Sequence, residues 1–217
     1  MTQLKQSEPE VYQGQFGEFT IIESDRTDVI IYRTGLMVAA LCFAIGSTGV
    51  LLGHQVIWQA LTPLIACFCL ALGVSLFTIH IYLAVLHRLL QVFWAIGSLA
   101  AVALMLSSSE PLALTVYNQP VALFGVGFLF VALTGIYFKE AFCFNRLETK
   151  LLTPLVPLLL LGHLVGILPT QWERVMLASW AVLFVVFALR KAVQPIPPDI
   201  GDKSVFAYLH EQRSARA

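Results

Sequence analysis

One histidine inside an apolar stretch is the sharpest candidate for chemistry in this chain. His163 lies in the segment LGHLVG, about five residues from the end of a hydrophobic span. A neutral imidazole at that depth needs a hydrogen-bond partner or a metal, because unpaired polar groups are costly in lipid. Two interpretations stay open. His163 is either bonded to a neighbouring helix that the small residues Gly162 and Gly166 allow to approach closely, or it is the cofactor-binding ligand of a haem, chlorophyll or quinone.

The densest group of polar and aromatic residues is the run KEAFCFNR, from Lys139 to Arg146. It lies where a predicted span leaves the membrane, so one interpretation is a solvated loop whose lysine extends toward the interface. The other interpretation is a contact site for a lipid headgroup or a partner protein. The residues of this predicted contact site are Lys139, Glu140, Asn145 and Arg146.

The remaining histidines give weaker patterns. His80 and His87 are seven residues apart and would lie about 10 Å apart along one helix, so the two cannot bind one haem together. Solvated histidines near the interface are the simpler interpretation. His54 lies in a loop at the same side of the membrane as His163, and a pairing of these two histidines stays open.

Small residues in the first span predict a helix-packing face. The stretch from Gly49 to Gly53 matches the GxxxG pattern, and Gly46 lies one turn earlier. Such residues let two helices approach closely in a membrane. The four cysteines lie in or beside apolar stretches and are interpreted as small hydrophobic residues.

Enzyme classes with recognisable motifs find no support in the chain. The sequence contains no nucleophile elbow, P-loop, dinucleotide fingerprint or HExxH motif. No Asp, Glu, Lys or Arg falls in the core of a predicted span, which argues against a proton-driven transporter with a charged residue at its midplane. We therefore predict neither an enzyme nor a bound metal or cofactor.

The composition of the chain indicates the environment in which these candidate residues lie. Of 217 residues, 58% are hydrophobic and 12% are charged, whereas soluble domains carry about 25% charged residues. A surface that faces water needs more charged residues than this chain has. We therefore predict that most of the surface faces the lipid bilayer. The formal net charge is zero and no basic patch appears, which excludes nucleic acid as a predicted partner.

Six stretches have the length and hydropathy of membrane-spanning helices. The fold class predicted from them is all-α, a polytopic membrane protein with six transmembrane helices. The predicted spans are Thr34–Gly53, Ile57–Ile79, Leu89–Leu106, Pro120–Phe138, Leu151–Leu168 and Val175–Leu189.

The distribution of positive charge predicts the orientation of these spans. Twelve of the 13 Lys and Arg residues fall on one side, and Arg174 is the exception. Positively charged loops face the cytoplasm, so we expect both termini on the cytoplasmic side. The predicted organisation is a polar arm over residues 1–30, a membrane domain over 31–193, and a proline-rich linker with a short amphipathic helix over 194–217.

Two segments resemble a known family. The run EFTIIESDRTD from Glu18 to Asp28, and the run KEAFCF from Lys139 to Phe144, are similar to an uncharacterised integral membrane family of cyanobacteria and plastids, domain of unknown function 2301. The resemblance implies a photosynthetic prokaryote and a thylakoid or plasma membrane. It assigns no functional residues.

The leading hypothesis is a non-enzymatic auxiliary protein that assembles or stabilises photosynthetic or respiratory membrane complexes. It implies a membrane-protein partner, and homo-oligomers stay possible. The first alternative is a permease for a small solute or ion, with a path along the proline-containing fifth span. The second alternative is a haem- or pigment-binding membrane protein in which His163 is the axial ligand.

Overall fold

A computed structural model describes residues 10–54, 56–81 and 83–214, and the side chains of residues 206, 207, 209, 210 and 213 lie outside the description. Two short strands, β1 (Val11–Gly14) and β2 (Gly17–Thr20), pair as an antiparallel hairpin. Helices form most of the rest. They are α1 (Glu23–Leu51), α2 (Ile57–Thr78), α3 (Ala84–Ser107), α4 (Leu112–Asn118), α5 (Pro120–Phe144), α6 (Leu147–Leu164), α7 (Thr170–Ala192), α8 (Pro197–Ile200) and α9 (Ser204–Ser214).

Six of these helices are long and apolar enough to cross a membrane: α1, α2, α3, α5, α6 and α7. The predicted all-α fold with six transmembrane helices is therefore confirmed. Their most hydropathic windows have a mean hydropathy between 1.3 and 2.2. The cytoplasmic placement of the termini stays a prediction.

Several helix ends differ from the predicted spans. Helix α1 begins at Glu23 rather than Thr34, because its polar first turns are part of the same helix and pack on the terminal segments. Helix α6 ends at Leu164, and Gly166 follows with a φ of +73° that only glycine adopts readily. Helix α4 was not predicted at all.

The long helices pack around α1 and α5. Helix α1 contacts α2 and α7, while α5 contacts α3 and α6. Gly97 of α3 lies so close to the backbone of Leu129 in α5 that a Cβ atom at this position would overlap it. Few other residues of α3 are buried, so most of this helix faces lipid.

The predicted helix-packing glycines divide into two groups. Gly46 and Gly49 lie against α2, where added Cβ atoms would meet the side chains of Leu61 and Ile57. Gly53 lies beyond the end of α1, has a φ of +69°, and has no atom within 4 Å of a Cβ position. The prediction is therefore wrong for Gly53, which makes a turn and not a helix contact.

The terminal segments fold against each other beside the bundle. The backbone N–H groups of Gln15 and Phe16, in the hairpin turn, donate to Asp202 Oδ2 at 2.6 Å and to Ser204 Oγ at 3.1 Å. The bond from Gln15 and a second from Ser204 lower the pKa of the Asp202 carboxyl. A small cluster of Ile21, Val29 and Ile200 lies beneath them. The tails predicted as an arm and a linker thus contact each other.

Candidate functional site: a cavity at one end of the bundle

The six long helices alternate in direction, so the bundle has two ends. We name as the His163 end the one where α1, α3 and α6 finish and where α2, α5 and α7 begin. We name the opposite end, where α5 finishes and α7 runs out toward α8, the Glu140 end. Interacting polar side chains lie at both ends, and they differ in burial.

A cavity of about 560 Å³ opens among the helices at the His163 end. This volume lies within the range of about 300–1,000 Å³ that is typical of small-molecule sites. The short helix α4 contributes Ala113, Val116 and Tyr117 to its wall. Most of the remaining wall is apolar and comes from α1, α2, α5, α6 and α7, with residues such as Val50, Leu61, Leu64, Leu123, Leu160 and Leu177.

Four aromatic side chains close the cavity toward the middle of the bundle. The Trp180 ring lies 4.4 Å from Phe43 and 5.2 Å from Phe130 between ring centroids. Phe68 lies 5.9 Å from Phe130 and completes the layer. Trp180 Nε1 donates to the hydroxyl of the buried Tyr137 at 3.2 Å, which fixes the orientation of the indole. The cavity therefore has an aromatic floor.

His163 lies at the mouth of this cavity and has partners for both ring nitrogens. Nδ1 lies 2.5 Å from Glu173 Oε1, and Nε2 lies 3.0 Å from the carbonyl oxygen of Tyr117. The Tyr117 hydroxyl donates to the other carboxylate oxygen of Glu173 at 3.1 Å. Burial and the adjacent carboxylate raise the pKa of the Tyr117 phenol. These three residues join α4, α6 and α7 into one hydrogen-bonded group.

Ser47, Thr170 and Arg174 also line the cavity. Arg174 Nη2 donates to the carbonyl oxygen of Leu51 at 2.9 Å, so the guanidinium group connects the start of α7 to the end of α1. Ser47 lies four residues before Leu51 and is only 6% exposed. The cavity thus combines a large apolar surface with a few polar groups near one end.

The partner of His163 was not predicted. Glu173 lies only ten residues further along the chain, in the first turn of α7, at the end of the segment that the hydropathy placed on the same side. A short connection between antiparallel helices brings their ends together. The pairing of His163 with Glu173 could therefore have been predicted from the sequence. The candidate role of His163 as a cofactor ligand stays a prediction, and it would require one of the two hydrogen bonds to break.

At the Glu140 end, the structure assembles a buried group of charges. Glu140 is 0% exposed and accepts hydrogen bonds from Lys139 at 2.8 Å and from Lys191 at 2.6 Å. Lys191 also bonds Asp199 of α8, and Arg33 of α1 donates to the same carboxylate at 2.6 Å. Buried charges are tolerated where they are paired and hydrogen-bonded. We call these five residues the ion cluster.

The predicted contact residues Lys139, Glu140, Asn145 and Arg146 therefore have different surroundings. The first two belong to the ion cluster and bond within the chain. Asn145 is exposed and ends α5 with a φ of 52°. Arg146 donates to Gln194 Oε1 at 2.6 Å, and its Nη1 atom is buried with no partner in the described part of the chain. Contact with a lipid or a partner stays a prediction for all four.

His87 makes local hydrogen bonds at the Glu140 end. His87 Nε2 lies 2.6 Å from the Leu76 carbonyl oxygen and 3.2 Å from Gln91. Burial lowers the pKa of His80, which lies in the loop after α2. Over residues 10–54, 56–81 and 83–214, no group of three or more His, Cys, Asp or Glu residues is arranged to hold a metal ion.

Comparison with protein families places the chain among membrane proteins. Residues 74–208 match the family model described as uncharacterized integral membrane protein, domain of unknown function 2301. The chain belongs to this family. The matched region runs from the last turn of α2 into α9, so it includes His163, Glu173 and Arg174, together with four members of the ion cluster. No curated protein and no solved structure matches the chain.

Proposed function

We propose that this protein is a non-enzymatic membrane protein that holds a small lipophilic molecule in the cavity at the His163 end. The observation that carries the proposal is the cavity itself, about 560 Å³ of mostly apolar space with polar groups collected at its mouth. A large apolar pocket with a few convergent polar groups is the usual form of a small-molecule site.

The aromatic floor supports binding in preference to conduction. Phe43, Phe130 and Trp180 pack with centroid distances of 4.4–6.5 Å, and the indole is held by Tyr137. Beyond this layer, the ion cluster joins α1, α5, α7 and α8 at the other end. A molecule that enters from the His163 end therefore meets two closed layers.

A matched pair of tryptophan substitutions tests the binding function. Ala113 lines the cavity from α4, whereas Ala103 is exposed on the lipid-facing side of α3. We expect the purified wild-type protein to bind pyrene, a neutral fluorescent hydrocarbon, with a saturable signal. Ala113→Trp should remove the saturable signal by filling the cavity, and Ala103→Trp should keep it. Equal pyrene binding by all three proteins would refute the proposal.

A permease is the second candidate, and one observation favours it. The cavity reaches one end of the bundle and is closed toward the other, which is the arrangement of a transporter open to one side. Helix α6, which lines the cavity, contains Pro154 and Pro157, and these prolines favour a bend in the helix. A specific solute flux into liposomes that is lost in His163→Ala would favour transport over holding.

A haem- or pigment-binding function requires His163 as a free ligand. Its two ring nitrogens instead face Glu173 and the carbonyl oxygen of Tyr117. An absorption spectrum of the purified protein is the direct test: a visible band that disappears in His163→Ala would support this function.

The auxiliary role in assembling or stabilising photosynthetic or respiratory complexes, in a cyanobacterial thylakoid or plasma membrane, is also part of the proposal. It is supported by the family resemblance and by the exposed polar residues near Asn145 at the Glu140 end. A tagged protein isolated in mild detergent should then retain a membrane complex. Isolation as a monomer alone would count against this role, and isolation as a dimer would point to a homo-oligomer.

A further inference from the structure

We propose that the molecule held in the cavity is a single-chain lipophilic anion. Its negatively charged head would lie between Arg174 and Ser47, and its apolar chain would fill the space above the aromatic floor. This inference rests on the proposed binding function and adds the chemical class of the ligand.

Arg174 is unusual in its position. At the His163 end it is the sole Lys or Arg among the residues that the structure describes, whereas the others lie toward the opposite end. Its one hydrogen bond to the described part of the chain, to the Leu51 carbonyl oxygen, uses one N–H of a guanidinium group that has five. The remaining donors are available to a carboxylate or phosphate, for which the planar guanidinium is the preferred partner.

The neighbouring carboxylate does not neutralise Arg174. The Tyr117 carbonyl oxygen only accepts hydrogen bonds, so His163 Nε2 carries a proton. The distance of 2.5 Å between His163 Nδ1 and Glu173 Oε1 requires a second proton between these two atoms. Wherever that proton resides, the His163–Glu173 pair has no net charge. The charge of Arg174 therefore leaves the lining of the cavity with one excess positive charge.

Ser47 adds a hydroxyl group one helical turn before Leu51, whose carbonyl oxygen binds Arg174. Thr34, Thr78 and Ser179 each donate their hydroxyl proton to the carbonyl oxygen four residues earlier. Ser47 is also in a helix and is buried, yet its hydroxyl has no partner in the described part of the chain. Four residues of helix separate it from Leu51, a rise of about 6 Å. A head group bound by Arg174 comes within reach of this hydroxyl.

The size of the cavity supports a single chain. A volume of about 560 Å³ is that of a pocket for one drug-sized molecule. The apolar wall below the two polar residues suits a hydrocarbon body, since no charged residue lines the cavity below Ser47. A carboxylate from a fatty acid and a phosphate from a lysolipid share the chemistry that Arg174 and Ser47 recognise.

The test compares three ligands with the same oleyl chain: oleate, oleyl phosphate and oleyl alcohol. Each is titrated against the pyrene-loaded full-length protein in mild detergent, and displacement of pyrene gives its affinity. We expect at least one of the two anions to bind about tenfold or more tightly than the alcohol, since charge-assisted hydrogen bonds are the strongest of the polar contacts. The tighter of the two anions identifies the head as carboxylate or phosphate.

Variants then assign the recognition to residues. Arg174→Gln should weaken the binding of the preferred anion about tenfold or more and leave the binding of oleyl alcohol unchanged. Arg174→Lys should keep most of the affinity for the anion. Ser47→Ala should weaken the binding of the anion about two- to tenfold. Lys150→Gln, at the opposite end of the bundle, is the matched control and should change nothing.

Two failures are distinguishable. If oleyl alcohol binds as tightly as both anions, or if Arg174→Gln and Ser47→Ala both leave anion binding unchanged, the anionic class is wrong and the binding function stands. If pyrene and all three ligands fail to bind in a saturable way, the proposed binding function itself is refuted. Should Arg174→Gln not fold, Ser47→Ala and the comparison of ligands on the wild-type protein decide the question.

Discussion

Neutralising Glu140 tests whether the ion cluster holds the Glu140 end together. The cluster contains three cations, Lys139, Lys191 and Arg33, and two carboxylates, Glu140 and Asp199. The substitution Glu140→Gln keeps the shape of the side chain and removes one of the two negative charges. Three buried or nearly buried cations would then face a single carboxylate.

The expected cost follows from the burial of the group. Glu140 is 0% exposed and bonds two lysines. Removing one partner from a buried ion pair costs about 3–5 kcal/mol, because the remaining charge stays buried without compensation. For a chain of this length, about 1 kcal/mol lowers the melting temperature by about 2–4 °C. We therefore expect Glu140→Gln to melt about 6–20 °C below the wild type.

Lys139→Met is the matched comparison. Losing Lys139 leaves two cations and two carboxylates, so the cluster becomes balanced, and we expect a cost below about 2 kcal/mol. Arg26→Gln removes an exposed ion pair with Glu10 and should change stability by less than about 1 kcal/mol. The assay is a thermal melt of the purified variants in one mild detergent. Equal melting temperatures for Glu140→Gln and Lys139→Met would refute this account of the cluster.

Three further predictions address other parts of the molecule. Gly97→Ala should destabilise the protein because its Cβ would overlap the α5 backbone, whereas Gly127→Ala, with open space around it, should be neutral or slightly stabilising in the same thermal melt. Asp202→Asn should release the β1–β2 hairpin to added protease. Because the pKa of Asp202 is lowered in the folded protein, acidification should weaken the attachment of the hairpin progressively as the pH falls from about 4 through the lower pKa of the folded state, and hairpin protection that does not fall on acidification would contradict this. A topology reporter fused near Glu110 should read as external and one near Arg146 as cytoplasmic, and the reverse pattern would overturn the predicted orientation.

The six spans could be predicted because hydropathy and length dominate the folding of a chain in lipid. Helix α4 was missed because its seven residues lie between prolines and are too short to cross a bilayer. That omission mattered, since α4 supplies Tyr117 and part of the cavity wall. A cavity depends on how the side chains of several helices fit together, and no local pattern encodes it.

The burial of the ion cluster could not be predicted from the sequence, for a different reason. The sequence places Lys139 beside Glu140 at a helix end, which is also the pattern of a solvated interface. The burial arises because α7 brings Lys191 and α8 brings Asp199 to the same point. Lys191 lies 51 positions beyond Glu140 in the chain, so the pattern of a single segment cannot predict this contact.

Native mass spectrometry of the protein released from detergent tests the central claim most directly. We predict that the wild type and Ala103→Trp retain a bound lipophilic molecule, seen as a constant added mass, and that Ala113→Trp has the mass of the bare chain. A bare chain for all three proteins, under conditions that preserve other membrane protein–lipid complexes, would contradict the claim that this cavity holds a ligand.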